Sequence, residues 1–212
     1  MTTNRPGLRE RKKQATREAL RAAALRLALE RGPENVRVEE IAEAAGVSPR
    51  TYNNYFSSRE QAIVAAVTAE REARVAAAVA ARPPGVRLAA AVTDAIVEQY
   101  TDAGASGREA LLLITTSDTL RAAFTGTTAA MEVPLADAIA GRLGTTGEHT
   151  ARVLAAAVTA AVRVALERWL QPATGSRATG LVVMSGSLPD LLRTALDPLE
   201  PALDAAEQQA RR

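Results

Sequence analysis

The run Ala42-Glu-Ala-Ala-Gly46-Val-Ser48-Pro49 restricts the fold of this chain more than any other stretch. Gly46 can take the positive φ that a tight turn needs. Ser48 then offers a side-chain oxygen as an N-cap, with Pro49 at the first helical position behind it. The pattern predicts a short helix over about Val38–Ala45, a sharp turn, and a second short helix reaching about Phe56. Two short helices that cross steeply need a small residue at their closest approach, and Ala42 stands there. In this register Ile41, Ala45, Val47, Tyr52, Tyr55 and Phe56 take inward or hinge positions. Arg50, Thr51, Asn53 and Asn54 are left pointing outward.

The flanks agree with a helical fold. A first helix is expected from about Leu8 to Arg31, its apolar stripe carried by Leu20, Ala24, Leu27 and Ala28. Gly32-Pro33 stops it, glycine capping and proline preventing continuation. Ser58-Arg59-Glu60-Gln61 fits a capping box and opens a long fourth helix lasting to about Ala81. Arg82-Pro83-Pro84-Gly85 is the strongest break in the chain and is read as the domain boundary. Beyond it helices are expected at about Val86–Ala103, Arg108–Thr115, Asp118–Phe124 and Thr127–Gly144, the last kinked at Pro134. Two more cover His149–Leu170 and Leu188–Ala210, the latter interrupted near Pro198 and Pro201. Between these two lies a Gly/Ser/Thr-rich loop, Gln171–Ser187, with an apolar LVVM patch. Aromatic residues make up only 3 % of the chain, against 47 % hydrophobic residues overall, and alanine, the best helix former, is abundant. The fold class is therefore all-α with about nine helices: a three-helix head over residues 1–60, a linker helix to about 82, and a helical body over 83–212.

Charge divides the same way. Residues 1–82 carry 15 Lys+Arg against 10 Asp+Glu, whereas residues 83–212 carry 11 against 14. A basic head on an acidic body suggests that the head binds an anion. The absence of cysteine excludes disulfides and thiolate chemistry, and a single histidine, His149, argues against a His-rich metal site or a His-centred relay. No cofactor or metal is expected. No uncharged apolar run approaches the roughly 20 residues that a membrane span requires. The basic N-terminus, with no apolar segment after it, does not read as a signal peptide, so the cytoplasm is the expected location. The adjacent carboxylates Glu39 and Glu40 read as a solvated pair on a surface helix rather than as an acid–base couple, and the chain is not expected to be an enzyme.

The outward residues suit duplex DNA. A recognition helix presents its N-terminal residues to base edges in the major groove. There arginine reads guanine through two donors, asparagine reads adenine, and threonine bonds a base or touches a thymine methyl. Tyr55 and Arg59 are placed for phosphates, and the basic cluster Arg5, Arg9, Arg11, Lys12, Lys13 and Arg17 adds affinity independent of sequence.

Residues 9–66, RERKKQATREALRAAALRLALERGPENVRVEEIAEAAGVSPRTYNNYFSSREQAIVAA, resemble the DNA-binding domain of the TetR family of transcriptional regulators along its full length. The resemblance implies a ligand-responsive repressor whose three-helix head binds a palindromic operator. It places base and phosphate contacts on Val38, Pro49, Arg50, Thr51, Asn53, Asn54, Tyr55 and Arg59, beside the cap residue Ser48. Two departures stand out. Asn53 occupies a position where the family usually has an aromatic residue, often a phosphate-binding tyrosine. The helix before the turn lacks the usual Ser or Thr cap and has Val36-Arg37 instead, which makes Arg37 a further phosphate candidate.

One recognition helix reads few base pairs, so specificity calls for a dimer on a two-fold site. The segments 149–170 and 188–210 are the expected interface, and the resemblance implies that they pair with their mates as a four-helix bundle. The body is expected to hold an apolar pocket for a small effector, with Tyr100, Arg121, Arg163, Arg168 and Trp169 as anchor candidates. A weaker resemblance over about 83–200 is to regulators with an acyl-CoA-like ligand-binding domain, which implies an effector with an apolar tail and an anionic head. Effector binding would shift the spacing of the two recognition helices, whose half-sites lie roughly 34–36 Å apart.

Overall fold

A computed structural model describes residues 8–68, 71–101, 113–115, 117–144, 147–171 and 187–211. Among these residues every regular element is a helix and no strand occurs. Most of the expected Arg108–Thr115 helix, the interior of the 171–187 loop with its LVVM patch, and Arg5 lie outside the described residues. The chain divides into two compact units, residues 1–67 with 109–123, and residues 68–108 with 124–212.

The first unit begins with α1, Leu8–Arg31, which buries Leu20, Ala23, Ala24, Leu27 and Ala28. Gly32, at φ +83°, ends it, and a single 3-10 turn follows at Pro33–Asn35. Then come α2, Val38–Ala44, and α3, Pro49–Asn53, followed by α4, Arg59–Thr68, whose last residue already belongs to the second unit. Of the 109–123 segment, Ile114 and Leu120 are fully buried.

The second unit is built from α5, Arg71–Ala81; α6, Leu88–Thr101; the end of α7, Asp118–Gly126; α8, Glu132–Leu143; α9, Glu148–Leu170; α10, Leu188–Leu196; and α11, Glu200–Ala210. The helix α5 packs on α6 and α8, α9 packs on α8 and α10, and both α10 and α11 pack on α6. Its core alternates small and branched residues, with Ala91, Ala95, Ala151 and Ala155 among Val92, Ile96, Leu135, Ile139, Val158, Val162 and Leu192. Small side chains at the contacts let the helix axes approach while the branched ones fill the remaining space.

The long fourth helix is described as α4 and α5 on either side of residues 69 and 70, which lie outside the described residues. The helix expected from Thr127 starts as a 3-10 segment, Thr127–Met131, and becomes α-helical at Glu132. Pro134 thus sits in the first α turn, where its missing N–H costs no hydrogen bond, and it starts the helix rather than kinking it. The Arg82–Gly85 turn, read as a boundary, lies inside the second unit. Its backbone is held there: Arg142 donates to the carbonyls of Arg82 at 3.1 Å and Val86 at 2.6 Å, and Arg211 to that of Pro84 at 3.2 Å.

Those arginines meet at Glu207, a carboxylate only 8 % exposed. Its Oε1 lies 3.3 Å from Arg142 and 3.2 Å from Arg211, while its Oε2 accepts the backbone N–H of Leu88 at 3.1 Å. Asp204, one turn earlier, accepts the N–H of Ala89 at 3.4 Å. The free N–H groups at the start of α6 are therefore satisfied by α11, more than a hundred residues away. Replacing Glu207 with Ala would strand a buried guanidinium and these donors at once, a loss of about 3 kcal/mol in urea unfolding. Arg87→Ala, which removes an exposed pair with Glu200 and Asp204, is expected to fall well short of that.

Candidate nucleic-acid interface

The turn between α2 and α3 closes through two backbone bonds, Val47 N–H to Ala42 O at 2.9 Å and Gly46 N–H to Glu43 O at 2.9 Å. This is the Schellman arrangement, which places its penultimate residue in the left-handed region, and Gly46 has φ +68°. The Ser48 side chain then accepts the N–H of Thr51 at 3.2 Å and shares a 2.9 Å hydrogen bond with the Thr51 hydroxyl. The α3 helix is thereby capped where the sequence places its cap.

It ends sooner than expected, at Asn53 rather than Phe56. The N–H groups of Asn54 and Tyr55 bond three residues back, to Thr51 O at 3.1 Å and Tyr52 O at 2.8 Å. This tightening of the last turn brings Phe56 inward, 2 % exposed, with its ring 5.8 Å from that of Tyr52. The Tyr52 ring is wholly buried and its hydroxyl donates to Ser58 O at 2.7 Å. Burial, with the nearby Glu60 carboxylate adding to it, pushes the Tyr52 hydroxyl up to about 12. From α1, the Arg17 guanidinium lies 5.6 Å from the Phe56 ring centre, a cation–π contact.

With this core fixed, Arg37, Ser48, Pro49, Arg50, Asn53 and Asn54 are exposed, as are Lys12 and Lys13 on α1. Val38, Thr51 and Tyr55 are half-buried. The Thr51 hydroxyl is already engaged by the cap, so its methyl is the part left for a ligand. Arg50 and Asn53 are thus presented on one short helix, with Asn54 at its C-cap.

Two residues expected on DNA or in solvent have partners within the chain. One Arg59 nitrogen donates to two carbonyls of the segment between α1 and α2, Glu34 O and Val36 O, both at 2.9 Å. Its Nε donates to Glu60 at 2.8 Å. Arg59 is therefore a clasp that holds the start of α4 to the start of α2, because those carbonyls have no helical partner. Glu40, read as half of a solvated pair, accepts the N–H of Arg37 at 2.9 Å and pairs with Arg31 at 2.9 Å. An arginine side chain has no acceptor, so the bond a Ser or Thr cap would accept from the first turn is missing, and Glu40 supplies only the reciprocal half of a capping box, at the N–H of Arg37. The second capping box is also shifted. Ser58 Oγ accepts the N–H of Gln61 at 3.2 Å, but Gln61 reaches back to Ser57 N–H at 2.7 Å, one residue beyond the cap.

The body candidates scatter. Tyr100 and Trp169 are each 6 % exposed. Arg121 is half-buried, donates to Thr115 O and pairs with Asp118. Arg163 and Arg168 do not enter the body at all: both are exposed on α9, and Arg163 pairs with Glu167 at 2.7 Å. Their spacing puts them on the outer face, so as pocket anchors they are set aside. A cavity of about 320 Å³ among the described residues is lined by Arg82, Arg142, Glu207 and Arg211 with Ala80, Pro84 and Gly141, none of them an expected anchor. The residue missed is Arg71. It is 7 % exposed, stacks 4.4 Å from the Tyr100 ring centre, and lies on the buried stripe with Val75 and Val79. That i, i+4, i+8 pattern, with arginine in an apolar position, was the signal available.

Residues 20–66 match the model of the bacterial regulatory proteins of the tetR family, and residues 82–204 match the MftR C-terminal domain. The HTH-type transcriptional regulator TcmR of Streptomyces glaucescens is 33 % identical over 215 residues, covering 96 % of this chain and 91 % of that protein. The chain belongs to the TetR family. As a TetR-family protein it is a DNA-binding transcriptional regulator rather than an enzyme, and the helix-turn-helix just described is its DNA-binding element. The regulator BetI of Rhizobium meliloti is 40 % identical over 80 residues, 36 % of this chain and 39 % of that protein. A solved TetR-family regulator from Streptomyces coelicolor aligns with a TM-score of 0.47 at 19 % identity, over 95 % of this chain and 99 % of that one. Among the described residues no helix is long and apolar enough to cross a membrane.

Because the hydroxyl of Tyr52 is raised, the fold holds it neutral while the unfolded chain ionises it near the ordinary tyrosine value. Its stabilising contribution is complete below about pH 10 and is lost as pH rises towards 12. In alkaline denaturation, Tyr52→Phe is expected to flatten this loss between pH 10 and 12, at a cost of about 1 kcal/mol at neutral pH from the missing hydrogen bond.

Proposed function

We propose that this TetR-family regulator represses transcription as a homodimer on a palindromic operator, in the cytoplasm, and is released by a small apolar or amphiphilic effector. The observation that carries the operator reading is the free outward array Arg50, Asn53 and Asn54 on a helix whose inner face is locked. Arg50 and the two asparagines have the donors and acceptors for base edges. Lys12, Lys13, Arg37 and the Ser48–Pro49 cap, with Val38, Thr51 and Tyr55 at the margin, serve to position the head on sugar and phosphate. Asn53 is too short to reach as far as an aromatic residue would, so it belongs with the groove contacts. Arg59 supports the head from within.

The dimer reading is supported by the outer face of α9. Val153 and Val164 are 55 % and 53 % exposed, and with Ala157 and Ala160 they form an apolar stripe at spacings of four, three and four residues. On α11, Ala202 and Ala205 are exposed as well. A stripe of this period is what a partner helix covers. The effector reading draws on family habit and on the buried aromatic residues of the body, Tyr100 and Trp169. The acyl-CoA-like class, an apolar tail with an anionic head, is the effector chemistry that the resemblance of the body suggests. Release then requires that effector and operator weaken each other's binding by the same factor.

Operator binding separates the two arginines of the head. Arg50→Ala is expected to cost about 1–3 kcal/mol of operator affinity and to relax discrimination at one base pair, with thermal stability unchanged. Arg59→Ala is expected to lower the melting temperature first. Equal losses of affinity on all sequences for Arg50→Ala would make that residue a phosphate contact. For the dimer, introducing Asp at both Val153 and Val164 is expected to give a folded monomer in sedimentation that no longer retards operator DNA at wild-type concentrations.

A further inference from the structure

Arg71 is a buried cation for which the described residues show no anionic partner. Its Nε and Nη1 are buried without a hydrogen bond, which leaves three N–H donors unused. The guanidinium carbon lies 4.4 Å from the Tyr100 ring centre and 5.5 Å from that of Phe124. On its own helix Glu72 is half-buried and forms no ion pair with Arg71, although its charge favours the guanidinium from nearby, and the Arg74 Nε donates to Gln99 at 2.9 Å. Arg142 differs: its Nε is also unpaired, but its other nitrogens bond two carbonyls and Glu207. Burial pulls the Arg71 guanidinium below its ordinary value, with Tyr100 acting against the shift, and burial pushes the Tyr100 hydroxyl up. An arginine nevertheless stays protonated in such a place.

An uncompensated cation in a core costs several kcal/mol, and aromatic faces return only part of that. Replacing it with an apolar residue would remove the cost, so its presence calls for an occupant that supplies the missing charge. From this we infer that Arg71, with Tyr100 beside it, is an anion-receiving site in the core of the body, taking the carboxylate of a small organic acid. The flanking rings of Tyr100 and Phe124 favour an aromatic or otherwise apolar remainder on that acid. This assignment rests on the effector reading above and narrows it to anionic effectors.

The test uses the full chain without DNA, so that its outcome is independent of operator release, which a separate retardation assay reads. Calorimetric titration with 2-naphthoate and with 2-naphthamide compares an anion with a neutral molecule of the same shape. Wild type is expected to bind the acid at least roughly tenfold more tightly, a difference of about 1.4 kcal/mol. Arg71→Gln is expected to bind both alike, and Arg71→Lys to keep part of the preference. Without ligand, Arg71→Met is expected to melt no lower than wild type, because it removes an unpaired charge. Equal binding of the two probes by wild type, binding of neither, a preference that survives Arg71→Gln, or a marked fall in melting temperature for Arg71→Met would each overturn the assignment. If the acid binds as expected but leaves operator affinity unchanged, the repressor-release reading fails while the site stands.

Discussion

The carboxylate of Glu207 is the point on which the body turns. A buried charge is tolerated only when its surroundings are complete, and Glu207 has a backbone N–H and two guanidinium groups around it. Through Leu88 it fixes where α6 begins, through Arg142 it reaches α8 and the 82–86 turn, and it stands on α11 itself. Alanine-rich helices slide easily, since their small side chains interlock weakly. A polar node with fixed directions removes that freedom and sets the register in which Ala91, Ala95 and their neighbours pack.

The parts legible in the sequence were those fixed by local rules. The Gly46 turn, the Ser48 cap and the Gly32 stop each depend on a few adjacent residues, and each stands where the pattern places it. The buried set Ile41, Ala42, Tyr52 and Phe56 follows from the same short register. What escaped was long-range or competitive. No periodicity tells that Glu207 will cap a helix that begins at Leu88, 119 positions earlier in the chain. The outward or inward use of an arginine is equally hidden: Arg59 and Arg50 look alike in the sequence, yet unpaired carbonyls at Glu34 and Val36 claim only Arg59. The length of α3 was overestimated for a related reason. Helix propensity allowed it to continue to Phe56, but burying that ring against Tyr52 required the backbone to tighten first.

At the recognition helix, rigidity and freedom are divided between successive residues. Tyr52 is held by a hydrogen bond, a ring contact and full burial, and the next two residues, Asn53 and Asn54, are exposed. A side chain that reads bases must be mobile enough to find them but anchored on backbone that does not move. Here the anchored Tyr52 stands directly before the exposed Asn53 and Asn54.

The body follows the opposite logic at Arg71. Where Glu207 completes its surroundings with residues of the chain, Arg71 leaves three donors open beside two aromatic rings. A body that carries such an unfinished site is less stable empty than filled, because binding to the folded form alone adds stability in proportion to ligand saturation. That difference is also what a switch needs, since a ligand shifts a conformational equilibrium only by its unequal affinity for the two states. The helix that bears Arg71 is the first of the body after the chain leaves the head at Val67. At the site proposed here, charge neutralisation would act on the helix of the body that follows the helix-turn-helix most closely in sequence.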